Sequence, residues 1–135
     1  MDTKIIHETA LAVFAGTASF PEVVEALLRA GVEYYHVDYV GLRETYYGAD
    51  DAIVFTPITY EGLPAAAPDF AADRLKAAIL DSQRHGQKFR DFSRRAMEAG
   101  VQGYFAFLRG KRVIYLGRQG DQHTEWFPGF APVKP

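Results

Sequence analysis

The spacing of apolar residues along this chain changes character in the same order twice. Near the start it has the helical period. Asp2 is placed to cap a first helix reaching about Ala15, with Ile6, Ala10, Val13 and Phe14 on one face and Gly16 as the stop. Ser19-Phe20-Pro21-Glu22 reads as a capping box with proline in the first turn. The helix it opens turns Val24, Leu27 and Leu28 inward and ends at Gly31, which takes a left-handed C′ conformation without a Cβ clash. The period then drops to two. Val32–Tyr39 predicts a strand, Val40-Gly41 a turn, Leu42–Tyr47 a returning strand and Ile53–Ile58 a weaker third.

A Pro/Ala connector, residues 61–68, leads into a second pass. Asp69 is expected to cap a helix to about Arg84, with Leu75 and Ile79 inward. Lys88–Ala99 forms the next helix, with Phe89, Phe92 and Ala96 on one face. Strands follow over Gln102–Leu108, Lys111–Leu116 and Gln122–Phe127, with Arg109-Gly110 as a turn. The two passes are related in sequence. Phe20 to Gly48 and Phe89 to Gly117 align without a gap at an offset of 69 residues, and nine of twenty-nine positions are identical. Chance would give about two. The fold class is therefore α+β: one domain over residues 1–135, with pseudo-repeats of about 1–60 and 69–129. Each repeat is helix–helix–strand–strand–strand, and antiparallel sheet packs against helices.

Two-residue turns at Gly41 and Gly110 set a register. Tyr35 then faces Tyr46, Tyr34 faces Tyr47, His36 faces Thr45 and Asp38 faces Arg43; in the second unit Tyr104 faces Tyr115 and Phe107 faces Arg112. Tyr35, Val37, Tyr39 and Tyr46 match Tyr104, Ala106, Leu108 and Tyr115, an apolar face expected to lie under the helices. The other face differs between the copies: Tyr34, His36, Asp38, Arg43 and Tyr47 against Gly103, Phe105, Phe107, Arg112 and Leu116. An aromatic face without a cover marks a cleft or partner surface.

Composition narrows the classes. The chain is 48% hydrophobic and has no cysteine, so disulfides, zinc ribbons and thiol nucleophiles drop out. No apolar run approaches a membrane span and the start lacks a signal-peptide pattern, so the expected location is the cytoplasm and no membrane partner is expected. Residues 1–69 hold 3 Lys/Arg against 11 Asp/Glu, and residues 70–135 hold 12 against 6. The imbalance fits mutual attraction of the halves, or of two copies in a homodimer, better than nucleic-acid binding, since the charges are interspersed.

His36-x-Asp38 and His123-x-Glu125 each put a ring and a carboxylate on one side of a strand, which raises a metal site or a His–carboxylate acid/base pair. The simpler reading pairs Asp38 with Arg43 and gives each histidine a structural hydrogen bond, so no catalytic residue, metal ligand or cofactor is assigned. Gly-x-Ser-x-Gly and phosphate-loop motifs are absent. Arg84, Lys88, Arg90, Arg94 and Arg95 form a basic helical region whose default reading is a solvated face.

Phe20-Pro21-Glu22-Val23-Val24-Glu25-Ala26-Leu27, Ala30–Asp38, Thr45-Tyr46-Tyr47, Gly103-Tyr104-Phe105, Gly110-Lys111, Tyr115-Leu116-Gly117-Arg118 and His123–Gly129 resemble the YdfO-like family. This is a domain of unknown function from bacteria and their prophages, sometimes labelled "phage envelope protein". The resemblance implies a small α+β cytoplasmic protein, possible phage relation and no established activity. Its pattern includes His36, Asp38, His123 and Glu125. The expected function is a non-enzymatic module that binds an unidentified small ligand or protein, through a face built from Tyr34, His36, Asp38, Arg43, Tyr47, Arg112, His123 and Glu125. The alternatives are a small hydrolase or lyase using His36 or His123, and nucleic-acid contact through the basic helices.

Overall fold

A computed structural model describes residues 1–133. Its elements run α1 (Thr3–Ala15), α2 (Phe20–Arg29), β1 (Val32–Asp38), β2 (Arg43–Gly48), β3 (Ile53–Pro57), α3 (Ala72–Arg84), α4 (Phe89–Glu98), β4 (Val101–Phe107), β5 (Arg112–Gly117) and β6 (Gln122–Trp126). This is an α+β fold, and the repeated helix–helix–strand order is visible in it. Asp2 accepts from the Ile5 amide at the start of α1. Ser19 and Glu22 form the reciprocal capping box on α2. Gly31 and Gly100 both have positive φ after their helices.

The six strands form one antiparallel sheet in the order β3-β2-β1-β4-β5-β6. Each unit is a three-stranded meander, and the units join where β1 lies against β4. In that pairing His36 sits opposite Phe105, its own counterpart 69 residues on, so the pseudo-two-fold axis passes between them. Their rings stack with centroids 4.2 Å apart. The expected pairs Tyr35–Tyr46, Tyr34–Tyr47, His36–Thr45, Asp38–Arg43, Tyr104–Tyr115 and Phe107–Arg112 are all present. The repeat also sets the helix starts: the Asp2 amide donates to the Ala30 carbonyl, as the Ala71 amide donates to the Ala99 carbonyl.

Three local expectations are corrected. The hairpin turns span four residues, Tyr39–Leu42 and Leu108–Lys111, rather than two. The left-handed residues are Leu42 (φ 55°) and Lys111 (φ 57°), not the glycines. Gly41 is required for a different reason. Asp38 Oδ1 accepts from the Val40 and Gly41 amides, and a Cβ at Gly41 would collide with that carboxylate. Because the Asp38 carboxylate is turned into the turn, Asp38 and Arg43 are cross-strand neighbours without an ion pair. Arg43 instead lies over the Phe55 ring, 5.0 Å from its centroid, and its counterpart Arg112 lies 4.4 Å from that of Trp126. Finally, α3 starts at Ala72 without a side-chain cap; Asp69 accepts from Gln119 instead.

Strand alternation divides the sheet cleanly. Tyr35, Val37, Tyr46, Tyr104, Ala106 and Tyr115 share one core with Ile6 of α1, Leu27 of α2, Leu75 of α3 and Phe92 of α4, so all four helices cover the same face. The Tyr39 hydroxyl reaches Ser93 Oγ of α4 at 3.1 Å, which satisfies two buried hydroxyls together. At the central seam Gly103 is pressed against β1: a Cβ there would collide with the Val37 carbonyl oxygen. Among the described residues no helix is long and apolar enough to cross a membrane.

Candidate functional site

The uncovered face gathers six of the eight residues expected to line a site: Tyr34, His36, Asp38, Arg43, Tyr47 and Arg112. Tyr34 stacks on Tyr47 at 4.5 Å and on Phe107 at 5.7 Å, and Phe107 continues to Phe105 at 6.0 Å. The His36 ring is part of this ladder. Partial burial holds its pKa below the ordinary imidazole value; Asp38 opposes that shift and Arg43 adds to it. The Asp38 carboxylate is taken up by the turn amides. Charge and stacking thus satisfy one another on this face.

His123 and Glu125 lie elsewhere. They pair with Tyr115 and Val113 on the helix-covered side of the sheet. His123 stacks on Tyr115 at 6.3 Å, and its Nε2 stands 3.5 Å from Glu125 Oε1 with no hydrogen-bond partner. His36 and Asp38 are therefore separated from His123 and Glu125 by the sheet itself. The set of two imidazoles and two carboxylates does not converge.

A cleft of about 770 Å³ opens on the covered side, between the hairpin α1–α2, the hairpin α3–α4 and the sheet. The loops at Gly16–Phe20 and Gly86–Phe89 line it from the two units, and Phe127 and Pro128 close in from beyond β6. Its floor is the four tyrosines that the duplication repeats. Tyr46, Tyr35, Tyr104 and Tyr115 run across β2, β1, β4 and β5, with successive ring centroids 5.3, 6.4 and 5.2 Å apart. Burial pushes all four phenols above their ordinary pKa, so they stay neutral at any physiological pH.

Glu44 brings a buried carboxyl group to this floor. Glu44 lies on β2 with the parity of Tyr46 and is only 3% exposed. Oε1 accepts from the Tyr46 and Thr56 hydroxyls, both at 3.2 Å. Burial pushes its pKa up to about 7, while these two hydrogen bonds pull the other way. Among the described residues no lysine, arginine or histidine forms an ion pair with it. The repeat explains its position. Glu44 faces Thr56 across β2–β3, and the equivalent pair in the second unit is Val113 facing Glu125. The acid has moved to the other member of the pair, so the cleft has a carboxylate in each half.

The chain matches no protein-family model and no curated protein.

Glu44 was legible in principle. The register that puts Tyr35 against Tyr46 also puts Glu44 on the inner face, because side chains two apart share a side. The eye passes over it because a glutamate on a short strand is usually solvated. The basic region is partly used within the fold: Arg95 pairs with Asp81 at 2.7 Å, and Arg90 donates to the Glu61 carbonyl.

Proposed function

We propose that the protein is a non-enzymatic binding module and that its site is the cleft between the helices and the tyrosine floor. The volume of the cleft supports this, since sites for small molecules span about 300–1,000 Å³. So does its lining, in which aromatic and aliphatic side chains outnumber the polar ones, with Glu44 and Glu125 on the sheet and Lys88 at the start of α4 as its charged groups. The observation that carries the reading is the gap itself. Four repeated tyrosines and two helical hairpins enclose space where a core of this size would ordinarily interdigitate. The hairpins approach one another along α1 and α4, and the loops of both line the cleft.

Binding can be tested with N-phenylnaphthylamine, a neutral apolar fluorophore. Saturable one-to-one binding is expected. Val13 is a partly buried side chain of α1 that lines the cleft. Val13→Trp fills that space and should weaken binding at least about tenfold, or about 1.4 kcal/mol. Unsaturable fluorescence, or equal affinity in the variant, would place any binding outside the cleft.

A further inference from the structure

We propose that the cleft selects a hydrophobic cation, an aromatic or alkyl ammonium, with its charged head over the tyrosine floor beside Glu44. The inference rests on the cleft being a binding site and names the class of molecule it takes. Glu44 is more than nine-tenths buried, lines the cleft, and is held by two neutral hydroxyl donors on one oxygen. A buried carboxylate is costly unless it is paired, and here the protein supplies no partner charge among its described residues.

The groups around Glu44 are Tyr35 of β1, Tyr39 of the turn that follows it, Tyr46 of its own strand, Thr56 of β3, Tyr60 beyond it and Tyr104 of β4. All are uncharged near neutrality; Tyr60, for one, has its pKa pushed up to about 12. Lys88 lines the cleft but makes no ion pair with Glu44. Aromatic faces attract cations through their quadrupole, and a wall of several rings is the usual cage for ammonium groups. Tyr35, Tyr46, Tyr104 and Tyr115 form such a wall. Glu125, at the far end, adds negative potential. An anionic ligand would meet two carboxylates and no cation on the floor. A neutral one would leave Glu44 unpaired.

The pH dependence follows from the same geometry. A cation pairs with ionised Glu44, whose carboxyl titrates near about pH 7. Affinity should therefore rise about tenfold from about pH 6 to about pH 8, the change in its ionised fraction.

The test is a charge series on one scaffold: naphthylmethyl-trimethylammonium, naphthylmethanol and naphthalenesulfonate, titrated calorimetrically into the full chain. The expected order is cation over neutral by at least about tenfold, about 1.4 kcal/mol, with the anion weakest. Glu44→Gln should cut the cation's advantage over the neutral alcohol severalfold and flatten the pH dependence, while the alcohol still binds. If the alcohol or the sulfonate binds as tightly as the cation and Val13→Trp blocks it, cation selection is overturned and the binding cleft stands. If cation preference survives Glu44→Gln unchanged, the role given to Glu44 is overturned. If none of the three binds, both readings fail.

Discussion

Replacing Tyr104 with alanine is expected to cost the fold about 3–5 kcal/mol, the range for truncating a large buried aromatic. Tyr104 is almost fully buried at the centre of the tyrosine floor and touches rings from both units: Tyr35 and Tyr39 of the first, Tyr115 of its own. Its loss removes the contact that carries the floor across the β1–β4 seam. The cost should fall toward the lower end, because the vacated space joins the cleft and water can enter it. Tyr104→Phe keeps the ring and should cost under about 1 kcal/mol, since among the described residues its hydroxyl has no hydrogen-bond partner. Tyr34→Ala, on the uncovered face, should cost clearly less than Tyr104→Ala. Urea unfolding of the three variants checks the order. A Tyr104→Ala midpoint equal to that of the parent would refute the cross-strand pairing as a stabilising feature.

Glu44→Gln is expected to stabilise the protein above neutral pH. The folded-state pKa of Glu44 is raised from 4.5 to about 7, so the native state holds its proton where the unfolded chain has lost it. Between those values the folded state binds more protons, and stability falls as pH rises. The contribution is fully present below about pH 4.5 and gone above about pH 7, a loss of roughly 3 kcal/mol at 1.36 kcal/mol per pH unit. Glutamine keeps the shape and cannot ionise. The difference between variant and parent should be small at about pH 5 and grow to that size by about pH 8. Comparing the two proteins removes the titration of every other group. Parallel pH profiles would show that Glu44 is solvated or paired in the folded state. A bound cation would shrink the same difference, because it stabilises the ionised parent and not the variant.

Much of the fold is readable from residue spacing because the signals are local. The change of period from 3.6 to 2 at Gly31 and again at Gly100 marks each passage from helix to sheet, and the Ser19–Glu22 box marks a helix start by its own chemistry. The offset of 69 residues carries more than the identities suggest. Applied to the N-cap Asp2, it points to Ala71, the N-cap position of α3, whereas Asp69 is drawn away to Gln119. The turn geometry was less legible. Asp38 faces Arg43 in the register, which invites an ion pair, but two nearby amides in the turn outcompete a flexible arginine that finds the Phe55 ring.

The candidate site was legible only in part. Alternation along strands correctly groups Tyr34, His36, Asp38, Arg43, Tyr47 and Arg112. It cannot place β6 relative to β1, because that depends on which strands neighbour each other, and His123 and Glu125 end up across the sheet. The cleft is a product of tertiary packing between two helical hairpins, and no run of residues encodes its volume. Its floor, however, was present from the start as the repeated pairs Tyr35/Tyr104 and Tyr46/Tyr115.

The two faces of the sheet give the central claim its most direct test. The chain has eight tyrosines, of which Tyr35, Tyr46, Tyr104 and Tyr115 floor the cleft while Tyr34 and Tyr47 lie on the uncovered face. Ring resonances of isotope-labelled tyrosine, assigned by single Tyr→Phe variants, can be followed by NMR as N-phenylnaphthylamine is added. A ligand in the cleft shifts the four floor tyrosines and leaves Tyr34 and Tyr47 in place. Shifts confined to Tyr34 and Tyr47, with the floor unmoved, would contradict the cleft as the binding site and move it to the uncovered face.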